Sequence, residues 1–350
     1  MTAAPTGMPA AEAPVDRSAI AKNSKPRLGF LGVGWIGRHR LEAIARSGFA
    51  EIAAVADPAP ENVREAVKCA PELQAMSSLD DLLNAELDGI VIATPSALRA
   101  NQAMAALDRG AAVFCQKPLA RSARETQLVI DAARRADRLL GVDLSYRYTT
   151  AMQRIRDLVR SGELGRVFAV DLVFHNAYGP DKPWFFDPAL SGGGCVIDLG
   201  IHLVDLALWT LGNPRVVAAS SRLFSKGTPL DLPATTVEDY AEARLDLDSG
   251  TEVRLSCSWN LNAGRDAVIE AAFYGTTGGA ALRNVNGSFF DFSAQRFRGT
   301  TSETLSAPPD DWGGRAAVDW ARQLAAGGRY DPEIEQLVGV AAALDAIYGR

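Results

Sequence analysis

Asp198 and His202 lie four residues apart in the otherwise apolar segment CVIDLGIHLVDLALWTLG, which starts at Cys195. At helical spacing such a pair shares one face, and Asp205 and Trp209 continue the stripe. Polar groups on a buried helix cost free energy unless they are satisfied, so they need a purpose. Oxidation of an alcohol supplies one. As hydride leaves the carbinol carbon a base must take the hydroxyl proton, and a neutral imidazole with an ordinary pKa near about 6.5 suits that role. Asp198 then either orients the imidazole or binds a neighbouring substrate hydroxyl. The bland alternative is a helix start with a satisfied core histidine. The preceding Gly192-Gly193-Gly194, and the presence of only His39, His175 and His202 in the chain, favour the chemical reading. Zinc held by Asp198, His202, Cys195 and His175 has no recognised ligand spacing, so no metal is expected.

A second cluster points to a dinucleotide. Gly32-Val33-Gly34-Trp35-Ile36-Gly37 is a G-x-G-x-x-G turn between an apolar strand and a helix. Its first glycine permits the tight turn, its second lets backbone approach a pyrophosphate, and its third packs helix on strand. Trp35 and Ile36 fall at the helix N-terminus, where the anion sits. Asp57 ends the next strand twenty residues after Gly37, the position that receives hydrogen bonds from the adenosine ribose and repels a 2′-phosphate. NAD is expected over NADP; the alternative is a structural turn with Asp57 capping a helix before Pro58. Lys117, in Cys115-Gln116-Lys117-Pro118, follows a buried strand and emerges at the sheet edge where a nicotinamide would lie. It is placed to donate to a substrate hydroxyl or to act as a base. Thr94-Pro95-Ser96 at the same edge either contacts the cofactor or caps a helix. Gln116 joins the expected cofactor contacts. Arg147, His175, Tyr178 and Trp184 are the expected substrate contacts, the last two in an aromatic loop that stacks on a sugar or polyol face or packs between domains.

These residues require a particular frame. From Arg27 to Tyr146, β-branched runs (Arg27 to Leu31, Ile52 to Ala56, Gly89 to Ala93, Ala111 to Cys115, Leu139 to Leu144) alternate with helical segments, one started by the capping-box spacing Ser122 to Glu125. Five parallel strands in a doubly wound Rossmann sheet follow. Beyond Tyr146 come a helix from Thr150 to Ser161, a strand from Val167 to Phe174 and the apolar helix from Cys195 to Leu211. Six strands then run in succession, from VVAASSRLF to SFFDF, with turns at Asp248-Ser249-Gly250 and Asn286-Gly287. Such a run makes an open, mostly antiparallel sheet. Helices from Gly313 to Ala326 and Pro332 to Tyr348 close the chain. The expected fold class is thus α/β plus α+β. The division is a disordered tail over 1–26, an NAD-binding domain over 27–146, and a substrate-binding and oligomerisation domain over 147–350 whose last helices pack back on the first.

Composition narrows the function classes. Hydrophobic residues make up 47% and charged residues 22%, so the chain is neither fibrous nor wholly disordered. A net charge of −6 leaves no basic excess for nucleic acid, and fits a neutral sugar-like substrate with NAD held by backbone and helix dipole. Four scattered cysteines fit a reducing, cytoplasmic compartment. The N-terminal stretch lacks the apolar core of a signal peptide, and no membrane span is expected.

Taken in order, GFLGVGWIG, ATPS, QKP and GGGCVIDLGIHLVDLALW resemble the motifs of the glucose-fructose oxidoreductase and inositol dehydrogenase (Gfo/Idh/MocA) family, and the likeness spans nearly the whole chain from Arg27. The resemblance implies that Lys117, Asp198 and His202 form the catalytic triplet, with His202 as acid/base, and that homodimers or homotetramers pack through the C-terminal sheet. Gln116 stands where the family usually has glutamate, Ser96 where asparagine is common, and Arg99 where many members have histidine. The expected function is NAD(P)-dependent hydride transfer at a secondary hydroxyl or ketone of a sugar, sugar derivative or cyclitol. The alternatives are a redox-neutral NAD-using isomerase, epimerase or glycosidase, and a non-catalytic cofactor-sensing regulator.

Overall fold

The computed structural model describes residues 25–350, so nearly all of the tail expected over 1–26 lies outside the described residues. Strands and helices alternate through β1 (Arg27–Leu31), α1 (Trp35–Ser47), β2 (Glu51–Ala56), α2 (Pro60–Cys69), β3 (Gln74–Met76), α3 (Leu79–Asn84), β4 (Gly89–Ile92), α4 (Ser96–Asp108), β5 (Ala112–Cys115), α5 (Ala123–Ala136) and β6 (Leu140–Val142). All six strands are parallel, in the order β3-β2-β1-β4-β5-β6. The sheet has one strand more than expected, because the short, mostly exposed β3 carries no β-branched residue. Strand order reverses between β1 and β4, and a crevice opens there at the carboxyl edge. Both faces are buried: Ile90, Ile92 and Val113 pack towards Leu107 and Ile130, while Phe30, Val91 and Phe114 pack towards Leu41 and Ile44. The Ser122 hydroxyl caps α5 by accepting from the Glu125 amide, as its spacing implies.

The chain continues through α6 (Thr150–Arg160), β7 (Val167–Asn176), α7 (Pro188–Ser191), α8 (Ile201–Thr210), β8 (Val216–Ser225), β9 (Thr228–Pro229), β10 (Tyr240–Leu247), β11 (Glu252–Ser258), β12 (Ala267–Gly275), β13 (Gly279–Asn284), β14 (Phe292–Arg298), β15 (Thr301–Ser306), α9 (Arg315–Ala325) and α10 (Gln336–Ile347). Nine strands form the second sheet, in the order β15-β14-β13-β12-β7-β11-β10-β8-β9. Only β7 and β11 pair in parallel. In β10 every second residue is buried, the period of a sheet packed on one side. The Asn286-Gly287 turn forms, with φ of 53° and 79°. SFFDF is not a strand: the Ser288 hydroxyl accepts the amides of Phe290 and Asp291, curling the chain into a loop, and β14 begins only at Phe292.

The last helices lie against both units. Trp320 of α9 packs tilted against Phe114 at 5.7 Å, and Leu337 of α10 joins the first sheet's core while Val340 and Leu344 join the second's. The helical stretch Pro188–Thr210 is long and apolar enough to cross a membrane by length and composition, but 83% of its apolar window is buried inside the molecule, as befits a core helix.

Candidate active site

A cleft of about 900 Å³ lies between the carboxyl edge of the first sheet and the second sheet's helix-covered side. The glycine turn forms one wall. Gly32 has φ +86°, and a Cβ there would lie 2.8 Å from the Ala93 carbonyl; a Cβ on Gly37 would lie 2.2 Å from the Gly32 carbonyl. Those two glycines are required by the protein itself. Gly34 is different: its nearest neighbour would be Asn62 Nδ2 at 3.9 Å, so no protein atom demands a glycine there. The first turn of α1 has no acidic residue and no side-chain cap, which leaves its amides for an anion. A cradle open where a side chain would project fits a dinucleotide pyrophosphate. Asp57 follows β2 directly and faces the turn, where Oδ2 accepts from the Val33 amide at 2.7 Å and Oδ1 from the Ala59 amide and Asn62. An ionised carboxylate has about four acceptor sites, so one remains.

Loops after β4 and β5 form the floor. Thr94 Oγ1 donates to Gln102, and buried Ser96 begins α4 behind Pro95. Buried Arg99 ties the loops together by donating to the carbonyls of Thr94, Lys117 and Pro118 at 2.7, 2.5 and 2.9 Å. Lys117 Nζ reaches across the cleft to Asp198, donating to its carbonyl at 2.6 Å and to Oδ1 at 2.8 Å. Trp259 Nε1 donates to Asp198 Oδ2 at 3.1 Å. The carboxylate is therefore oriented by a lysine and an indole, not by the imidazole. His202 is 8% exposed. The Tyr146 ring lies 4.7 Å from it, and Nδ1 is buried without a partner. Burial first, then the charges of Lys117 and Arg40, push its pKa well below the ordinary imidazole value, so the ring is neutral at pH 7.

The helix bearing this pair is not regular. Val196–Gly200 forms a π turn before α8, and such turns recur at functional sites. Asp205 and Trp209, further along regular α8, do not line the cleft: Asp205 forms a bidentate pair with Arg147, and the Arg147 guanidinium also lies over Trp209. Arg147, expected as a substrate contact, thus lies outside the cleft as the ion-pair partner of Asp205. His175 lies outside the cleft too, because alternation along β7 sends Val170, Leu172 and Phe174 inward and His175 to the opposite face. There its Nδ1 meets Ser258 Oγ at 2.8 Å and its ring stacks on Tyr240. Exposed Tyr178 lies outside the cleft, its hydroxyl donating to Asp266 at 2.6 Å. Trp184 does line the cleft, stacked on Phe185 at 3.8 Å. So does His39, which among surface arginines of α1 gave no sign of a role; it stacks on Trp35.

Sequence reasoning also missed a buried polar chain beside Lys117. Asp143 Oδ2 accepts from Arg40 Nε at 2.6 Å and from Gln116 Nε2 at 2.5 Å, while Oδ1 is buried without a partner. An acid just beyond a buried strand at the same edge as the glycine turn was the available signal. Glu238 was missed as well. Its buried carboxylate accepts the amides of Gly194 and Val196 and the Tyr348 hydroxyl. A Cβ on Gly193 would lie 2.2 Å from the Tyr348 oxygen, and one on Gly194 1.9 Å from the Glu238 carbonyl. Close packing on Glu238 and Tyr348 accounts for those glycines.

Comparison with known proteins adds independent findings. Residues 26–144 match a family model described as an oxidoreductase family, NAD-binding Rossmann fold, and residues 152–281 match the GFO/IDH/MocA C-terminal domain. The chain is 30% identical over 331 residues to D-xylose 1-dehydrogenase (NADP(+)) 2 of Haloferax volcanii, covering 91% of this chain and 95% of that one. It is 29% identical over 211 residues to D-glucoside 3-dehydrogenase of Escherichia coli; that match covers 57% of this chain and 60% of the relative. Levoglucosan dehydrogenase, solved with NADH and levoglucosan, superposes with a TM-score of 0.79 at 21% identity, over 93% of this chain and 96% of that one.

Proposed function

Because this chain belongs to the Gfo/Idh/MocA oxidoreductase family, we propose that it oxidises a secondary hydroxyl of a sugar, sugar derivative or cyclitol, or reduces the matching ketone. The observation that carries this reading is the convergence of Lys117, Asp198 and neutral His202 on the cleft that the glycine turn walls. The turn from Gly32 to Gly37 and the loops at Thr94 and Gln116 hold a nicotinamide dinucleotide, which supplies the hydride acceptor or donor when bound. Lys117 donates a hydrogen bond to the substrate oxygen and favours negative charge there. Asp198 and Trp259 hold that ammonium in place. Nε2 of His202, the ring nitrogen not walled in by protein, takes the hydroxyl proton on oxidation and returns it on reduction. Asp57 beside the turn selects NAD over NADP.

Residues 27–146 form the cofactor unit and 147–350 the substrate unit, and the unpacked face of the nine-stranded sheet joins copies into a dimer or tetramer in the cytoplasm. NADH formation at 340 nm over a panel of sugars and polyols tests the activity. Lys117→Ala and His202→Ala are expected to remove it, and activity unaltered in both refutes the assignment. Release of bound NAD on denaturation, with no absorbance change for any substrate, would instead mark a redox-neutral enzyme.

A further inference from the structure

We infer that the substrate is an uncharged glycoside with an apolar aglycone, not a sugar phosphate, sugar acid or nucleotide sugar; this rests on the oxidoreductase reading and adds a charge class to it. Four cationic side chains line the cleft: Arg40, Arg99, Lys117 and Lys182. Each is already engaged. Arg40 pairs with Asp143 and Lys117 with Asp198. Arg99 spends its guanidinium on the three loop carbonyls, and Lys182 meets Asp181 at 3.1 Å. Asp310 and Asp311 also line the cleft; Asp310 pairs with Arg315 at 2.5 Å, and Asp311 is the lining carboxylate with no cation within 4.0 Å among the described residues. A substrate phosphate or carboxylate needs a guanidinium fork, a lysine or free helix amides. Of the helices that begin beside the cleft, α1 and α4 start at the edge that holds the dinucleotide, so an anionic substrate meets the charge of Asp311 and no unengaged cation among the lining side chains.

What the cleft offers instead is aromatic surface on both sides of the reacting groups. Phe185 lies edge-on to Trp259 at 6.2 Å, and Trp259 holds Asp198. On the other side Trp312 packs against Tyr146 at 5.0 Å, and Tyr146 covers His202. Phe289 and Phe290 extend the wall towards the mouth, where Phe290 is 59% exposed. Aromatic faces match the C–H faces of a pyranose and leave an apolar group at the anomeric oxygen in contact with protein.

The test is calorimetric titration of the NAD-loaded protein with phenyl glucoside, galactoside and mannoside, with the 6-phosphates of the same sugars and with UDP-glucose, alongside NADH formation from each. At least one phenyl glycoside is expected to bind at least about tenfold more tightly than its 6-phosphate counterpart, and Asp311→Lys to improve binding of that phosphate by about tenfold. Binding of the phosphates or UDP-glucose as tight as that of the glycosides, or no binding of any phenyl glycoside, overturns the inference. Glycoside binding without NADH formation upholds the charge class and overturns the oxidoreductase reading.

Discussion

The Arg40–Asp143–Gln116 chain permits a charge-relocation experiment. Asp143 and Arg40 are almost fully buried, with side-chain exposures of 1% and 6%. Asp143→Asn leaves the guanidinium uncompensated, and breaking such a pair costs about 3–5 kcal/mol. Gln116→Glu places a second carboxylate where a 2.5 Å hydrogen bond now stands. If both stayed ionised the repulsion would be about 7 kcal/mol at an effective dielectric constant of about 20, so the pair instead retains a proton and the fold loses about 1–4 kcal/mol. The double variant exchanges the roles: the amide introduced at position 143 donates and the carboxylate introduced at position 116 accepts. Two donors sharing one acceptor at 2.6 and 2.5 Å lie within about 5 Å of each other, so the relocated carboxylate sits near enough to Arg40 to recover about 3 kcal/mol. Urea unfolding of the four proteins at pH 7, followed by tryptophan fluorescence, is expected to show the double variant more stable than Asp143→Asn alone. Coupling should reach about 2 kcal/mol or more. Additivity within about 0.5 kcal/mol would refute a shared electrostatic unit and leave Gln116 and Asp143 as independent packing residues.

Gly34→Ala should leave the melting temperature nearly unchanged yet weaken NADH binding at least about tenfold, because the added methyl meets ligand and not protein. Normal NADH fluorescence titration of that variant would refute the pyrophosphate cradle, whereas Gly37→Ala should destabilise the fold itself. The folded pKa of His202 lies well below its unfolded value of about 6.5, so between those two values the unfolded chain binds more protons. Its contribution to stability is therefore full above about pH 6.5 and lost as pH falls towards the folded value. Melting temperatures from pH 7.5 down to 5.0 should show that loss and His202→Gln should reduce it; identical profiles would contradict a neutral buried ring. Arg147→Ala should cost about 3–5 kcal/mol by stranding the buried Asp205 carboxylate. Once the variant is folded, its KM should be unchanged, and a selective rise in KM would return Arg147 to the substrate site.

How much was legible in the sequence depended on where the determining contacts lie. The left-handed backbone at Gly32, the Gly32–Gly37 contact, the Ser122 cap and the Asn286-Gly287 turn involve neighbours within a few residues, and local residue types report them. The Rossmann sheet was readable because strands buried on both faces give continuous apolar runs. β3 was not, because Gln74 and Ala75 are exposed and only Met76 packs on the core, so the strand rests mainly on pairing to β2. Arg40 and Asp143 are 103 residues apart, and Glu238 meets Gly194 across 44. Neither contact leaves a local mark.

The π turn carries the sharpest lesson about the site. The widened turn holds Asp198 and ends before His202, so it resets only the relation of that pair; His202, Asp205 and Trp209 share regular α8, and Arg147 takes the last two. The triple glycine counted in the sequence as support for chemistry at this helix, but packing against Glu238 and Tyr348 explains Gly193 and Gly194 without any substrate. The case for His202 as proton acceptor therefore cannot lean on those glycines. It stands on a neutral ring with a buried, unpartnered Nδ1, charged neighbours that keep it neutral, and a cleft shared with Lys117. A histidine kept only for packing is replaceable by a neutral residue of similar shape. Rate loss in His202→Gln with unaltered melting temperature at pH 7.5 would separate the proton acceptor from the core residue, and retention of both rate and stability would settle the matter for the core.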